Sequence, residues 1–235
     1  MKNLTTPRVA VIVPCYKRPE YTRKCIEALR NSQEYDNVKF YLFDDGSEDG
    51  TLAILDEWKS DDVQVVLNHE NIGLRNTIIR FFEMIKDEKF DYIAKMDNDC
   101  AVPKNWLNDI LKVFSATDLD VVSPNVMPSN AALTYGKFVD GLSYMPTEVV
   151  GGLWAMKASL IKNMYFEKHP TNGLIGAISI LKQICTENEV KIGWLPNIIV
   201  DDIGHWSGEH KDHIKSVEHE IYSKKVGRNI AWSST

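Results

Sequence analysis

At 235 residues, 44% apolar and 26% charged, the chain is long enough for one large domain, and no stretch approaches the roughly 18 apolar residues of a membrane span. A net charge of −6 gives no general basic footprint for nucleic acid, so holding a polyphosphate would need a local device, a metal ion above all. Met1 to Arg8 lacks an apolar signal core, and Cys15, Cys25, Cys100 and Cys185 are widely spaced with no Cys-x-x-Cys. Both features point to a cytoplasmic protein with reduced thiols.

Arg8-Val-Ala-Val-Ile-Val-Pro14 predicts a strand buried on both faces. Cys15-Tyr16-Lys17-Arg18 is a turn, and Pro19 opens a helix with Tyr21, Cys25, Ala28 and Leu29 inward. Val38 to Phe43 is a second strand, ending in Asp44-Asp45-Gly46-Ser47-Glu48-Asp49-Gly50-Thr51; the helix that follows carries Leu52, Leu55 and Trp58 on one stripe. Val63 to Leu67 is a third strand, Asn68 to Gly73 a loop, and Leu74 to Lys86 a helix with Ile78, Phe81, Phe82 and Ile85. Tyr92, Ile93, Ala94 and Met96, interrupted only by Lys95, form a fourth strand that runs into Asp97-Asn98-Asp99. Pro103 then restarts the chain as a helix with Trp106, Ile110, Leu111 and Phe114. Strands and helices alternating at this spacing predict an α/β fold with a parallel sheet.

A strand at Leu119 to Val122 comes next, then loops with short strands from Ser123 to Pro146. Val149 to Met156 reads as a strand carrying the pair Gly151-Gly152, followed by helices from about Ala158 and from Leu174 to Thr186. Ile192 to Val200 is the last strand. It leads into the polar loop Asp201-Asp202-Ile203-Gly204-His205-Trp206-Ser207-Gly208-Glu209-His210. Ile214, Val217 and Ile221 mark a C-terminal helix within the basic stretch Lys211 to Arg228, which suits packing on the domain or contact with a membrane surface. No repeat or linker divides the chain, so residues 1–235 are expected to be one domain.

Acids at the carboxyl end of a central strand lie where open α/β sheets bind ligands, and Asp97-x-Asp99 offers hard oxygens to a divalent cation. The same residues also suit a strand-to-helix turn in which Asp99 caps the following helix. Asp44 and Asp45 likewise suit a helix N-cap in a Gly-rich turn.

Four features in order, Val-Ile-Val-Pro14-Cys15-Tyr16, Asp44-Asp45-Gly46-Ser47-x-Asp49-Gly50-Thr51, Asn71-Ile72-Gly73-Leu74-Arg75-Asn76 and Asp97-Asn98-Asp99 with Pro103 and Trp106 behind, resemble the nucleotide-diphosphosugar glycosyltransferases of the GT-A fold, most closely glycosyltransferase family 2. The resemblance is close over residues 8 to 115 and thins after about Tyr165. It implies a Rossmann-like, mostly parallel central sheet flanked by helices. Residues 1–115 would form the nucleotide-sugar half, and residues 116–235 an acceptor-side subregion with the C-terminal helix. It implies transfer of a sugar from a nucleotide donor, UDP-linked by family weight, to an acceptor hydroxyl.

Carried onto this chain, the resemblance implies that Pro14, Cys15 and Tyr16 line the nucleotide pocket and that Asp45 accepts a hydrogen bond from the base. Arg75 would approach the diphosphate or base, and Asp97 with Asn98 would face the donor. Asp99 with Asp97 would hold Mn2+ or Mg2+. Gly151 and Gly152 would let the backbone approach sugar or acceptor, with Trp154 supplying a flat apolar face; the Gly pair also suits a bulge.

Inverting members of the family usually carry a Glu-Asp pair at the start of the helix before the last core strand, the Asp being the general base. Gly173 to Gln183 contains no acid. The nearest paired carboxylates are Asp201 and Asp202. They are therefore expected to supply the base, with His205 or His210 as a further metal ligand and Trp206 as part of a lid. A zinc site of His205, His210, His213 and His219 is disfavoured, since no Cys lies nearby. A retaining enzyme and a catalytically inactive nucleotide-sugar-binding module stay open. A nucleotidyltransferase would want a Gly-rich basic loop where Pro14 to Pro19 stands, and no Gly-x-Gly-x-x-Gly follows a strand as an oxidoreductase would require. Glycan, lipid-linked sugar, protein and modified nucleic-acid base are all compatible acceptors.

Overall fold

The computed structural model describes residues 6–32, 36–126, 137–139, 141–146, 152–162, 164–166 and 176–204. At its centre lies β1 (Val9–Cys15), buried along its whole length, as its β-branched run predicts. Parallel neighbours flank it on both sides: β2 (Val38–Asp45), with β3 (Val63–Asn68) outside, and β4 (Tyr92–Met96). Beyond β4 the sheet is mixed. The strand β9 (Leu153–Lys157) runs antiparallel between β4 and β6 (Val121–Asn125); β10 (Ile192–Ile199) pairs parallel with β6, and the hairpin of β7 (Lys137–Val139) and β8 (Leu142–Pro146) closes the edge. Among the described residues this sheet has the order β3-β2-β1-β4-β9-β6-β10-β8-β7. The short pair β5 (Cys100–Ala101) and β11 (Asp201–Asp202) stands apart from it.

Alternate side chains of β1 feed two cores. Val9, Val11 and Val13 pack with α1 (Pro19–Asn31), α2 (Thr51–Asp56) and α4 (Trp106–Ala116) through Cys25, Ile26, Leu29, Leu55, Trp106 and Ile110. Ala10 and Ile12 pack with α3 (Leu74–Ile85) and α5 (Gly176–Asn188) through Ile78, Phe81, Phe82, Ile180 and Ile184. Each large aliphatic or aromatic side chain so buried contributes about 1.5–3 kcal/mol.

Three expectations change. The helix after Pro103 starts at Trp106, because Asn105 takes a left-handed conformation at φ 62°, which Asn tolerates better than most residues. The helix expected from Ala158 is one 3-10 turn, Ala158–Ile161, pinned by the Ala158 N–H to the Asp91 carbonyl and ended by the Met164 N–H on the Ile161 carbonyl. Asp99 caps no helix, since the N-cap of α4 is Asn105. The expected C-terminal helix lies outside the described residues. Among the described residues no helix is long and apolar enough to cross a membrane.

Candidate active site

Strands run one way from β1 to β2 and β3 and the other way to β4, so the strand order reverses at the carboxyl end of β1. Loops on either side of such a reversal leave a crevice, and the chain sets its acids there. Register brings Cys15 beside Asp44, and Asp45 beside Asn68.

Asp97 continues β4 by one further backbone bond, its N–H donating to the Gly152 carbonyl at 3.0 Å. Its carboxylate is held by Lys95, a buried cation whose ammonium also donates to the Gly152 carbonyl at 3.1 Å. Asp99 is gripped from the other side by Arg18, Nη1 to Oδ2 at 2.9 Å. Asn98, between them, points away: its amide donates to Thr22 Oγ1 at 2.8 Å and to the Lys17 carbonyl at 3.4 Å. That contact ties the tip to the start of α1.

Two glycines press on the acids. A Cβ on Gly152 would fall 2.6 Å from Asp97 Oδ2, and one on Gly204 would fall 2.5 Å from Asp99 Cβ and 2.6 Å from its Oδ2. Only a residue without a side chain lets these backbones approach so closely. Gly204 arrives through β11, which pairs antiparallel with β5, Asp201 opposite Ala101 and Asp202 opposite Cys100, and the Ile203 N–H donates to the Asp99 carbonyl at 2.9 Å. Asp201 and Asp202 therefore lie on the strand immediately beside the Asp97–Asp99 tip. Gly151, His205, Trp206 and His210 lie outside the described residues.

Asp45 is buried and accepts three hydrogen bonds, from Asn68 Nδ2 at 2.8 Å, the Ile72 N–H at 3.0 Å and the Gly73 N–H at 2.9 Å. Asn68 Nδ2 also donates to Thr77 Oγ1 at 3.0 Å. In this structure Asp45 fastens the 71–73 loop to the sheet. Gly46 completes the seam at φ +73°, where a Cβ would meet the Glu70 carbonyl carbon at 2.5 Å. Arg75 is also buried and donates to Gln183 Oε1 of α5 at 3.2 Å.

Of Pro14, Cys15 and Tyr16, only Tyr16 keeps exposed surface. The Cys15 thiol donates to the Val13 carbonyl at 3.4 Å; burial, with Cys25 and Asp44 nearby, pushes its pKa well up. Trp154 departs from the expectation of a flat open face. At 1% exposure it packs with Met156 in the core under α3 and α5 and offers no open face.

Asp44 was read only as a partner of Asp45, yet it is fully buried. Its Oδ1 accepts the Ser47 N–H at 3.2 Å, and its Oδ2 has no hydrogen-bond partner among the described residues. Burial raises its pKa above the ordinary carboxyl range, against the opposing pull of Ser47. A raised folded pKa means the folded chain binds the proton more tightly than the unfolded one. This stabilising contribution is complete at acid pH and fades as pH rises through the raised value. Asp44→Asn, which stays neutral, should therefore gain stability relative to the native chain between pH 4 and pH 7, as read from urea midpoints. A pH-independent difference would contradict this.

The donor chemistry suits a divalent cation. Asp97 and Asp99 are hard carboxylates separated by one residue, the kind of oxygen donors a divalent cation takes alongside water and substrate phosphates.

The sequence model described as glycosyl transferase family 2 matches residues 10–183. Among curated proteins, Glycosyltransferase AglE of Haloferax volcanii is 32% identical over 129 residues, which is 52% of this chain and 40% of that protein. Putative glycosyltransferase EpsH of Bacillus subtilis is 30% identical over 143 residues, 56% of this chain and 40% of its own. The chain thus matches about two fifths of the length of these relatives. Among solved structures, mannosyltransferase PcManGT from Pyrobaculum calidifontis, in complex with GDP-Man and Mn2+, superposes with a TM-score of 0.68 at 17% identity, covering 97% of this chain and 66% of that one. TarS of S. aureus superposes at 0.62 and 16% identity, covering 94% and 72%. At those identities the likeness is one of fold, the GT-A arrangement of a mostly parallel sheet between helices.

Proposed function

Because the chain belongs to glycosyl transferase family 2, we propose that it moves a sugar from a nucleotide-diphosphosugar to an acceptor hydroxyl with inversion. Asp97 and Asp99 would hold the Mn2+ or Mg2+ ion on which the reaction depends. The observation that carries this reading is the pairing of β11 with β5, which seats two further carboxylates beside the acidic tip. They would stand in for the acid pair missing from the start of the helix before β10.

In this reading Asp201 or Asp202 takes the acceptor hydroxyl proton as the new bond to the sugar forms and the bond to the diphosphate breaks. A divalent cation bound at Asp97 and Asp99 would offset the charge gathering on the departing diphosphate. Lys95 holds Asp97 in place, and Gly152 and Gly204 fix the positions of both acids. The Asp45-anchored loop supports one wall of the nucleotide pocket, and Tyr16 lines another. Asp45 is proposed to meet the base from its anchored position. His205 or His210, just past Gly204 in the chain, is proposed as a further ligand, and Trp206 as part of a cover. The complex of PcManGT with GDP-Man and Mn2+ supports the choice of donor class and cation.

The test is release of nucleoside diphosphate from a panel of UDP- and GDP-linked sugars, with Mn2+ and with EDTA. Metal-dependent release from at least one donor is expected. Binding of a nucleotide-sugar without release under any condition would identify an inactive binding module instead.

A further inference from the structure

The acidic tip already carries its own cations. Lys95 faces Asp97, and Arg18 faces Asp99. Within these two pairs the charges cancel, so a divalent cation arriving alone would meet two carboxylates that are already compensated.

The two bases are not equivalent. Lys95 is paired with Trp154 in the β4–β9 ladder, its side chain is 2% exposed, and both Asp97 and the Gly152 carbonyl hold it. The Arg18 side chain is 13% exposed and lies on a loop at the mouth of the crevice. That loop is under backbone strain: Lys17 and Arg18 are consecutive left-handed residues, at φ 58° and 62°, neither of them glycine. The Lys17 N–H bond to Ser47 Oγ, the Asn98 amide on the Lys17 carbonyl, and the Thr22 N–H on the Arg18 carbonyl hold it there. Strain maintained by so many contacts is characteristic of a side chain being aimed. Here it aims a guanidinium at Asp99.

We propose that Arg18 is an exchangeable counter-cation: it occupies the Asp99 carboxylate in the metal-free protein, yields it to the divalent cation, and transfers to the donor diphosphate that arrives with the metal. This rests on the reading of Asp97 and Asp99 as the metal seat. The roughly two negative charges of a donor diphosphate would balance those of the cation, leaving Arg18 free to pair with phosphate oxygens. Arg18 would thereby make metal uptake depend on the nucleotide, and its planar fork suits phosphate oxygens as well as it suits a carboxylate.

The experiment is Mn2+ titration followed by electron paramagnetic resonance on the full chain, with Mn2+ alone and with UDP or GDP, for the native protein, Arg18→Met and Arg18→Lys. In Arg18→Met, Mn2+ alone should bind about three- to tenfold more tightly, because nothing competes for Asp99. Affinity for the nucleoside diphosphate at saturating Mn2+ should fall by a similar factor, and Arg18→Lys should lie between. A merely structural Arg18 would give the opposite sign, looser Mn2+ in Arg18→Met. That result, or an unchanged affinity, overturns the proposal while leaving the metal seat standing. Should Arg18→Met not fold, Arg18→Lys carries the same sign test. If the native chain binds Mn2+ under none of these conditions, the metal seat falls, and the proposal with it.

Discussion

Asp99→Asn should reduce transfer by on the order of 10²–10³-fold while leaving the fold intact, the size seen when one preorganised electrostatic contact to a transition state is removed. The substitution keeps the side-chain outline, so the approach of Gly204 to within van der Waals contact is undisturbed. It also leaves the main-chain carbonyl that receives the Ile203 N–H, so β11 stays on β5. What it removes is a negative charge, half of what a divalent cation would meet at this tip. The loss should appear in kcat and in Mn2+ affinity of the folded protein; the unfolding midpoint should also fall, because Arg18 loses its charged partner at 2.9 Å. Retention of most of the activity would remove Asp99 from the mechanism.

The second large effect should be asymmetric. Asp201 and Asp202 are neighbours in an extended strand, so their side chains leave opposite faces of the β5–β11 ribbon. Only one of them can face the crevice. Of Asp201→Asn and Asp202→Asn, one should therefore lower kcat by about 10²–10⁴-fold, the range for a lost general base, with donor affinity retained. The other should be close to native. Turnover intact in both would overturn the base assignment and favour a retaining reaction, which needs no base at that point.

The nucleotide-side half was largely legible because its elements announce themselves locally. Val9 to Val13 could only be a doubly buried strand, and the stripe Ile78, Phe81, Phe82 and Ile85 a helix face. Trp154 was misjudged for a reason that local pattern could have revealed. Strand alternation places it with Met156, on the face under α3 and α5, whatever the Gly pair before it does. Its partner across the sheet is Lys95, which looked like an interruption in an apolar run and is a buried counter-charge. The first group that holds Lys95, Asp97, is only two residues away and could have suggested the pairing; the second, the Gly152 carbonyl 57 residues along the chain, could not.

The same holds for Asp45. Its loop-fastening role depends on Asn68, Ile72 and Gly73, between 23 and 28 residues away. Sequence could mark the residue as important and could not say that backbone N–H groups already occupy it. Asp201 and Asp202 were found by elimination, once the expected acid was missing. Their placement follows only from the β5–β11 register, a pairing of two residues on each side that carries no periodic signal.

The central claim is that a cation seated between Asp97 and Asp99 meets the donor diphosphate at the carboxyl end of β4. Anomalous diffraction from crystals grown with Mn2+ and UDP or GDP tests it most directly. The account predicts a manganese peak bonded to an Asp99 oxygen and to phosphate oxygens, with Arg18 turned from Asp99 toward the diphosphate. A nucleotide bound elsewhere, with Arg18 still on Asp99 and no manganese at the tip, would contradict it.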